Sequence, residues 1–260
     1  MKVVILAGGR GSRLAEETQS VPKPMVEIGN RPLLWHIMKI FSFYGHNEFI
    51  ICLGYKSKVI KDFFLRYDSY NSDIDVALKS GKVSVVASHN DDWLVRLVDT
   101  GEDTQTGGRL KRVADQLPID EPFFFTYGDG VANINLDKLV DFHNRKGVLA
   151  TVTAVSPPGR FGAMKLNSES FVTSFSEKPI GEFGSVNGGF FVLQKEALAY
   201  IENDDTIWER SPLEHLAREN KLAAYRHSGF WQPMDTLRDK LHLEQLWKEG
   251  DAPWKIWQSD

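Results

Sequence analysis

A single cysteine, Cys52, stands among the 260 residues, which excludes an internal disulfide and any multi-cysteine metal centre. It lies in the apolar run Phe49-Ile50-Ile51-Cys52-Leu53, where a buried structural thiol is expected. No run approaches the ~18 consecutive apolar residues of a membrane-spanning helix. An excess of one charge is missing too. With 31 basic and 35 acidic residues the net charge is −4, which argues against general nucleic-acid or anionic-membrane binding. The seven histidines are scattered and show no His-Glu-x-x-His spacing, so a zinc enzyme is not expected. Repeats, low-complexity tracts and a linker that would split the chain are also absent. The chain opens on a strand rather than a charged leader with a cleavage site, so a soluble, cytoplasmic protein is expected. At 42% hydrophobic and 25% charged, residues 1–260 read as one globular α/β domain.

What is present gathers in the first two dozen residues. Lys2-Val3-Val4-Ile5-Leu6 is a short apolar run, and Ala7-Gly8-Gly9-Arg10-Gly11-Ser12-Arg13 follows directly. A buried strand emptying into a glycine-rich, basic loop suits a triphosphate. Glycines let backbone N–H groups approach phosphate oxygens, and successive N–H groups form an anion nest. Arg13 and, further on, Lys23 of Val21-Pro22-Lys23-Pro24 add a bidentate fork and a point charge. The bland alternatives are a flexible turn at the glycines and surface salt bridges at the two cations. The loop is not the dinucleotide fingerprint, because Leu14 stands where the close-packing glycine belongs, and no Gly-Lys-Ser/Thr makes it a P-loop.

Further on, Arg31-Pro32-Leu33 starts a helix with proline in its first turn, and Gly45 ends it. Glu48–Leu53 reads as a second buried strand and Lys58–Tyr67 as a second helix. This alternation predicts βαβ crossovers and a central mixed, mostly parallel sheet flanked by helices, with ligands beyond the carboxyl ends of the strands. Asp73–Leu78 and Val83–Ala87 read as a hairpin around Ser80-Gly81-Lys82. Thr104-Gln105-Thr106-Gly107-Gly108-Arg109-Leu110 leads into a helix whose start could face a ligand. Pro122–Tyr127 is an apolar strand running into Gly128-Asp129-Gly130, an acidic residue well placed for metal chemistry. Trp231-Gln232-Pro233-Met234-Asp235 brings a second carboxylate ahead of a final helix. Asp129 could instead be a turn aspartate and Asp235 a helix N-cap. Trp231, Trp247, Trp254 and Trp257 crowd the C-terminal end, as core packing or as a subunit interface.

Gly-Gly-x-Gly-Thr/Ser-Arg-Leu, followed about ten residues on by Pro-Lys-Pro, resembles the signature of the sugar-phosphate nucleotidyltransferases. Gly128-Asp129-Gly130, Glu177-Lys178-Pro179, Asn187-Gly188-Gly189 and Trp231–Asp235 match further family motifs in the family's order, so the resemblance covers the chain nearly end to end. Two departures are Ser12 for the commoner threonine and Glu16 where many members have proline. The resemblance implies a Rossmann-like nucleotidyltransferase fold and a Mg²⁺-dependent reaction. Residues 1–130 would serve mainly the nucleotide, and residues 131–260 mainly the sugar phosphate and subunit contacts. Arg13 and Lys23 become catalytic, stabilising phosphate charge. Leu6, Ala7, Gly8, Gly9, Arg10, Gly11, Ser12, Thr104, Arg109 and Gly128 join them around the nucleotide. Glu177, Lys178, Asn187 and Gly188 take the sugar phosphate, although Asn187 could be a plain turn. Asp129 and Asp235 become the metal ligands.

Within the family, Thr104–Arg112 together with Trp35-His36-Ile37-Met38 resembles the members that use CTP and glucose 1-phosphate in surface-polysaccharide synthesis. A homo-oligomer is expected, with no nucleic-acid or membrane partner. The same chemistry with UTP or dTTP and a catalytically silent relative remain open alternatives. The residue types fit an in-line attack of the sugar phosphate on the α-phosphorus. A phosphate monoester's second pKa is about 6, so the nucleophile is already an anion and no general base is required. The task is to hold two polyanions together and neutralise charge moving onto pyrophosphate.

Overall fold

The computed structural model describes residues 1–11, 14–88, 91–156, 163–166, 172–176 and 184–258. Seven strands form the central sheet: β1 (Val3–Leu6), β2 (Glu48–Leu53), β3 (Leu94–Asp99), β4 (Phe123–Tyr127), β5 (Ala150–Val155), β6 (Val186–Leu193) and β7 (Leu222–His227). Their order is β3-β2-β1-β4-β6-β5-β7. Every neighbouring pair is parallel except those made by β6, which runs antiparallel to β4 and β5. The mixed, mostly parallel sheet read from the sequence is the one observed.

The apolar runs are continuous because helices cover both faces of the central strands. Period-two alternation then divides each run between two cores. Val3, Ile5, Phe49, Ile51 and Phe124 face one core, with α1 (Leu33–Phe43), α4 (Leu136–Lys146) and α6 (Leu237–Glu249). Val4, Ile50, Cys52, Phe123 and Phe125 face the other, with α3 (Thr106–Arg112) and α5 (Ser211–Arg218). The first core also takes Ile60 of α2 (Ser57–Leu65). Cys52 is fully buried, and burial pushes its thiol pKa up to about 12, so it is an inert packing residue.

The strand order reverses between β1 and β4, since β1 leads to β2 and β3 on one side and the chain returns to β4 on the other. A crevice opens there beyond the carboxyl ends of both strands. Pro32 departs from expectation. It sits at the N-cap, paired with Glu27 in a two-residue ribbon, rather than inside the first turn of α1. The predicted hairpin forms as Ser72–Ala77 against Lys82–Ser88. Across it Ile74 opposes Val85 and Val76 opposes Val83, so these four share one face, and all four are exposed. Among the described residues no helix is long and apolar enough to cross a membrane.

Three of the four C-terminal tryptophans pack within the chain. Trp247, Trp254 and Trp257 surround the fully buried His36 of α1. The His36 ring Nε2 lies 2.8 Å from the Ile28 carbonyl, which can only accept. Nδ1 is therefore the acceptor for the Trp254 indole N–H at 3.4 Å. The ring must stay neutral to keep both contacts, and burial lowers its pKa to about 4. Burial likewise lowers His46 and His143 to about 4.

These histidines make the fold acid-sensitive. Unfolded imidazoles take up protons near pH 6.5 while the folded ones stay neutral until about pH 4, so stability falls as pH drops through that window. His36 alone would remove roughly 3 kcal/mol by pH 4. The urea midpoint should drop steeply between pH 6.5 and 4.5, with the His36 ring resonances not titrating above pH 5. A His36 titration near 6.5 would refute this account.

Candidate functional site

The crevice holds a cavity of about 310 Å³. Leu6, Ala7, Gly9 and Gly11 line it from β1 and its loop, Lys23 from a 3-10 turn, and Thr104 and Arg109 from the approach to α3 and α3 itself. Gly128 and Asp129 line it from the end of β4, and Asp235 from the residue before the α6 cap. A second cavity of about 210 Å³ adjoins it, lined by Asn187 and Gly188 of β6 and by Trp231. Tyr127, Asp129 and Asp235 line both, so the two carboxylates stand at the seam. Ser12, Arg13, Glu177 and Lys178 lie outside the described residues.

A short antiparallel ribbon brings the carboxylates together. Gly130–Ala132 pairs with Trp231–Pro233, and the Met234 N–H donates to the Asp129 carbonyl at 2.7 Å. Thr236 caps α6 in a capping box with Asp239, so Asp235 is not the N-cap. The Asp235 N–H donates to the Asp239 carboxylate at 3.2 Å, which fixes its backbone. Lys23 Nζ then reaches both aspartates, 3.1 Å from Asp129 Oδ2 and 2.7 Å from Asp235 Oδ1. The Lys23 side chain is only 11% exposed, so it is not a surface salt-bridge residue. Two carboxylates converging on one cationic centre, at the edge of a cavity, match the sparse donor set Mg²⁺ takes from proteins. Among the described residues no group of three or more His, Cys, Asp or Glu offers a metal site.

Arg109 lines the cavity, as expected of a residue around the nucleotide, and its guanidinium is also bound to protein acceptors. Its Nη1 donates to the Leu53 carbonyl (2.9 Å), Thr100 Oγ1 (2.8 Å) and the Gly101 carbonyl (2.7 Å). Nη2 donates to the carbonyls of Gly8 (3.2 Å) and Glu102 (3.0 Å). The guanidinium thus ties the β1 loop to the ends of β2 and β3. Gly8 and Gly54 leave room for it, since a Cβ at either would come within 2.6 Å of Nη1. Arg10 turns to Glu102 and Asp103 at 3.0 and 3.1 Å and does not line either cavity. Gly107 and Gly108 do not line either cavity; their N–H groups bond to the Thr206 carbonyl.

Tyr127 and Glu209 were missed from the sequence. Tyr127 OH donates to Glu209 Oε1, and Thr106 Oγ1 donates to Glu209 Oε2 at 2.6 Å. Asn187 Nδ2 donates to Tyr127 OH at 3.4 Å, while its Oδ1 accepts from the Gly189 N–H. Burial and the Glu209 charge push the Tyr127 phenol pKa up, so it stays protonated and can donate. Tyr127 could have been found from its place at the carboxyl end of a central strand. Nothing in Trp208-Glu209-Arg210-Ser211 marks Glu209.

The nucleotidyl transferase family model matches residues 2–233. The chain belongs to that family. It is 53% identical over 258 residues to glucose-1-phosphate cytidylyltransferase of Salmonella typhimurium, covering 99% of this chain and 100% of that one. It is 30% identical to mannose-1-phosphate guanyltransferase of Emericella nidulans, covering 96% of this chain and 66% of that one. In fold it is similar to the crystal structure of HddC from Yersinia pseudotuberculosis, with a TM-score of 0.69 and 22% identity over 95% of this chain and 99% of that one. The described part of the glycine loop, Ala7 to Gly11, follows β1 at the switch point of this sheet.

The Arg109 clamp predicts a defect from a position outside that loop. Gly54→Ala places a methyl against Nη1 and the Gly8 carbonyl, an overpacking of about 1–3 kcal/mol. A lowered Tm and a roughly tenfold weaker nucleotide Kd by calorimetry are expected at that magnitude. Wild-type values for both would remove the clamp from the site.

Proposed function

We infer that this chain transfers the cytidylyl group of CTP to α-D-glucose 1-phosphate, giving CDP-glucose and pyrophosphate. End-to-end identity of 53% with a glucose-1-phosphate cytidylyltransferase supports the substrates. The observation that carries the chemistry is the seam, where Asp129 and Asp235 line both cavities and Lys23 meets both. One polyanion in each cavity would bring the attacking oxygen and the α-phosphorus to the same charged centre.

Lys23 contributes positive charge beside the reacting phosphates, where low exposure weakens screening and strengthens electrostatic stabilisation. The β1 loop packs against the nucleotide, held in shape by Arg109. Asn187 and Gly188 contact the sugar side, and Tyr127 stands between the two ligands. Asp129 and Asp235 would hold a Mg²⁺, which when bound neutralises charge on the triphosphate and on the departing pyrophosphate. Arg13, Glu177 and Lys178 join by family resemblance, the first at the triphosphate and the other two at the sugar phosphate. The nucleophile arrives ionised, so no side chain needs to remove a proton.

We place the enzyme in the cytoplasm, supplying CDP-linked sugars for O-antigen and other lipopolysaccharide synthesis, and working as a homo-oligomer. The exposed face of Ile74, Val76, Val83 and Val85 supports self-association. A two-stranded ribbon is marginal alone in water, and this face carries no charge to be buried against a second copy. Light scattering should give a multiple of the 29.5 kDa chain mass, reduced by Val76→Lys/Val85→Lys. A wild-type monomer would refute it.

Pyrophosphate release measured across four nucleoside triphosphates and several hexose 1-phosphates tests the assignment. CTP with glucose 1-phosphate should be the preferred pair; a preference for UTP or dTTP would overturn the choice of base. Asp129→Asn should lower kcat at least ~10²-fold, the scale of losing one strong electrostatic contact. A near-normal rate would remove Asp129 from the metal pair.

A further inference from the structure

We propose that Lys23 is the built-in counter-cation of this site, holding the position between Asp129 and Asp235 and keeping a divalent cation out until a nucleoside triphosphate draws the lysine away. The proposal rests on the reading of Asp129 and Asp235 as the metal pair. Its observation is the placement of one ammonium at 3.1 and 2.7 Å from carboxylates on two separate elements.

The two aspartates stand on tied backbone, held by the Met234–Asp129 bond and by the Asp239 carboxylate. Lys23 is the movable one, a point charge on a flexible four-carbon stem. Without a cation between them, two neighbouring carboxylates would repel each other. A free divalent ion therefore competes with a charge already in place, at side chains only 11% and 16% exposed for Lys23 and Asp235. A metal–triphosphate complex does not face that competition. The ammonium transfers to phosphate oxygens as the carboxylates take the metal, so the lysine stays paired with negative charge and the carboxylates with positive charge. Lys23 already lines the cavity in which the triphosphate would sit. Metal and nucleotide consequently bind together rather than separately.

Mn²⁺ binding, read by water-proton relaxation enhancement, tests this without turnover. In the absence of nucleotide the wild-type chain should bind Mn²⁺ weakly. Lys23→Met should bind it at least about tenfold tighter, because one repelling charge a few ångströms away has gone. Lys23→Arg, which keeps the charge, should stay weak. Lys23→Gln retains a donor toward the carboxylates and serves with the same criterion if Lys23→Met does not fold. Adding Asp235→Asn to the neutral variant should abolish the gain. Equal or weaker Mn²⁺ affinity in the neutral variants overturns the proposal. If Asp235→Asn and Asp129→Asn leave the Mn²⁺·CTP complex of the wild-type protein unchanged, the metal pair itself fails and the proposal with it. If they weaken that complex while the neutral lysine variants gain nothing, only the proposal fails.

Discussion

The site depends on one ion-pair arrangement, in which Lys23 meets an aspartate 106 residues downstream and another 212 residues downstream. Nothing local could hold these groups together. The sheet brings β1 and β4 side by side, and the ribbon of Gly130–Ala132 with Trp231–Pro233 carries the far end of the chain back to the crevice. Its register fixes the distance between the two carboxylates. A Cβ on Gly130 would come within 3.2 Å of the Pro233 Cα, so the approach at this pairing is already close.

A reaction whose nucleophile is already ionised needs placed charge more than proton transfer, and the crevice is built accordingly. Lys23, Asp129 and Asp235 gather beside the seam of the two cavities, while the glycine loop, Thr104, Arg109, Tyr127 and the start of β6 form the walls. The hydrogen-bond chain from Asn187 through Tyr127 and Glu209 to Thr106 links the wall of one cavity to that of the other. Two ligands could thus be oriented by a single ring without either touching Glu209.

The fold was legible because buried parallel strands leave a plain mark: Val3–Leu6, Glu48–Leu53 and Phe123–Tyr127 are apolar runs closed by glycine or polar residues. Asp129 and Asp235 were legible as acids at strand or ribbon ends, and the family motifs joined them. Arg109 was visible but its task was not. A basic residue after two glycines reads the same whether it faces phosphate oxygens or five protein acceptors, since only tertiary structure supplies the carbonyls of Leu53, Gly101 and Glu102. Glu209 had no local pattern at all, because its partners come from β4 and from the start of α3. Pro32 misled for a simpler reason: a two-residue pairing with Glu27 competes with the first turn of the helix, and that pairing prevails.

The Arg109 arrangement bears on how one scaffold can serve different bases. Its guanidinium donates to four backbone carbonyls and to the Thr100 hydroxyl, so its charge shapes the loops. The walls at that end of the cavity are then set by the path of residues 99–106 and by the packing of Gly107 and Gly108 against Asp204–Thr206. Such a wall can be remodelled by loop changes without moving β1, β4 or the charged seam. The opposite end has no such freedom, because Lys23, Asp129 and Asp235 answer to one another and a shift in any of them breaks an ion pair. In the proposed reaction, base selection and bond making would fall to different parts of the same cavity, one adjustable and the other constrained by charge.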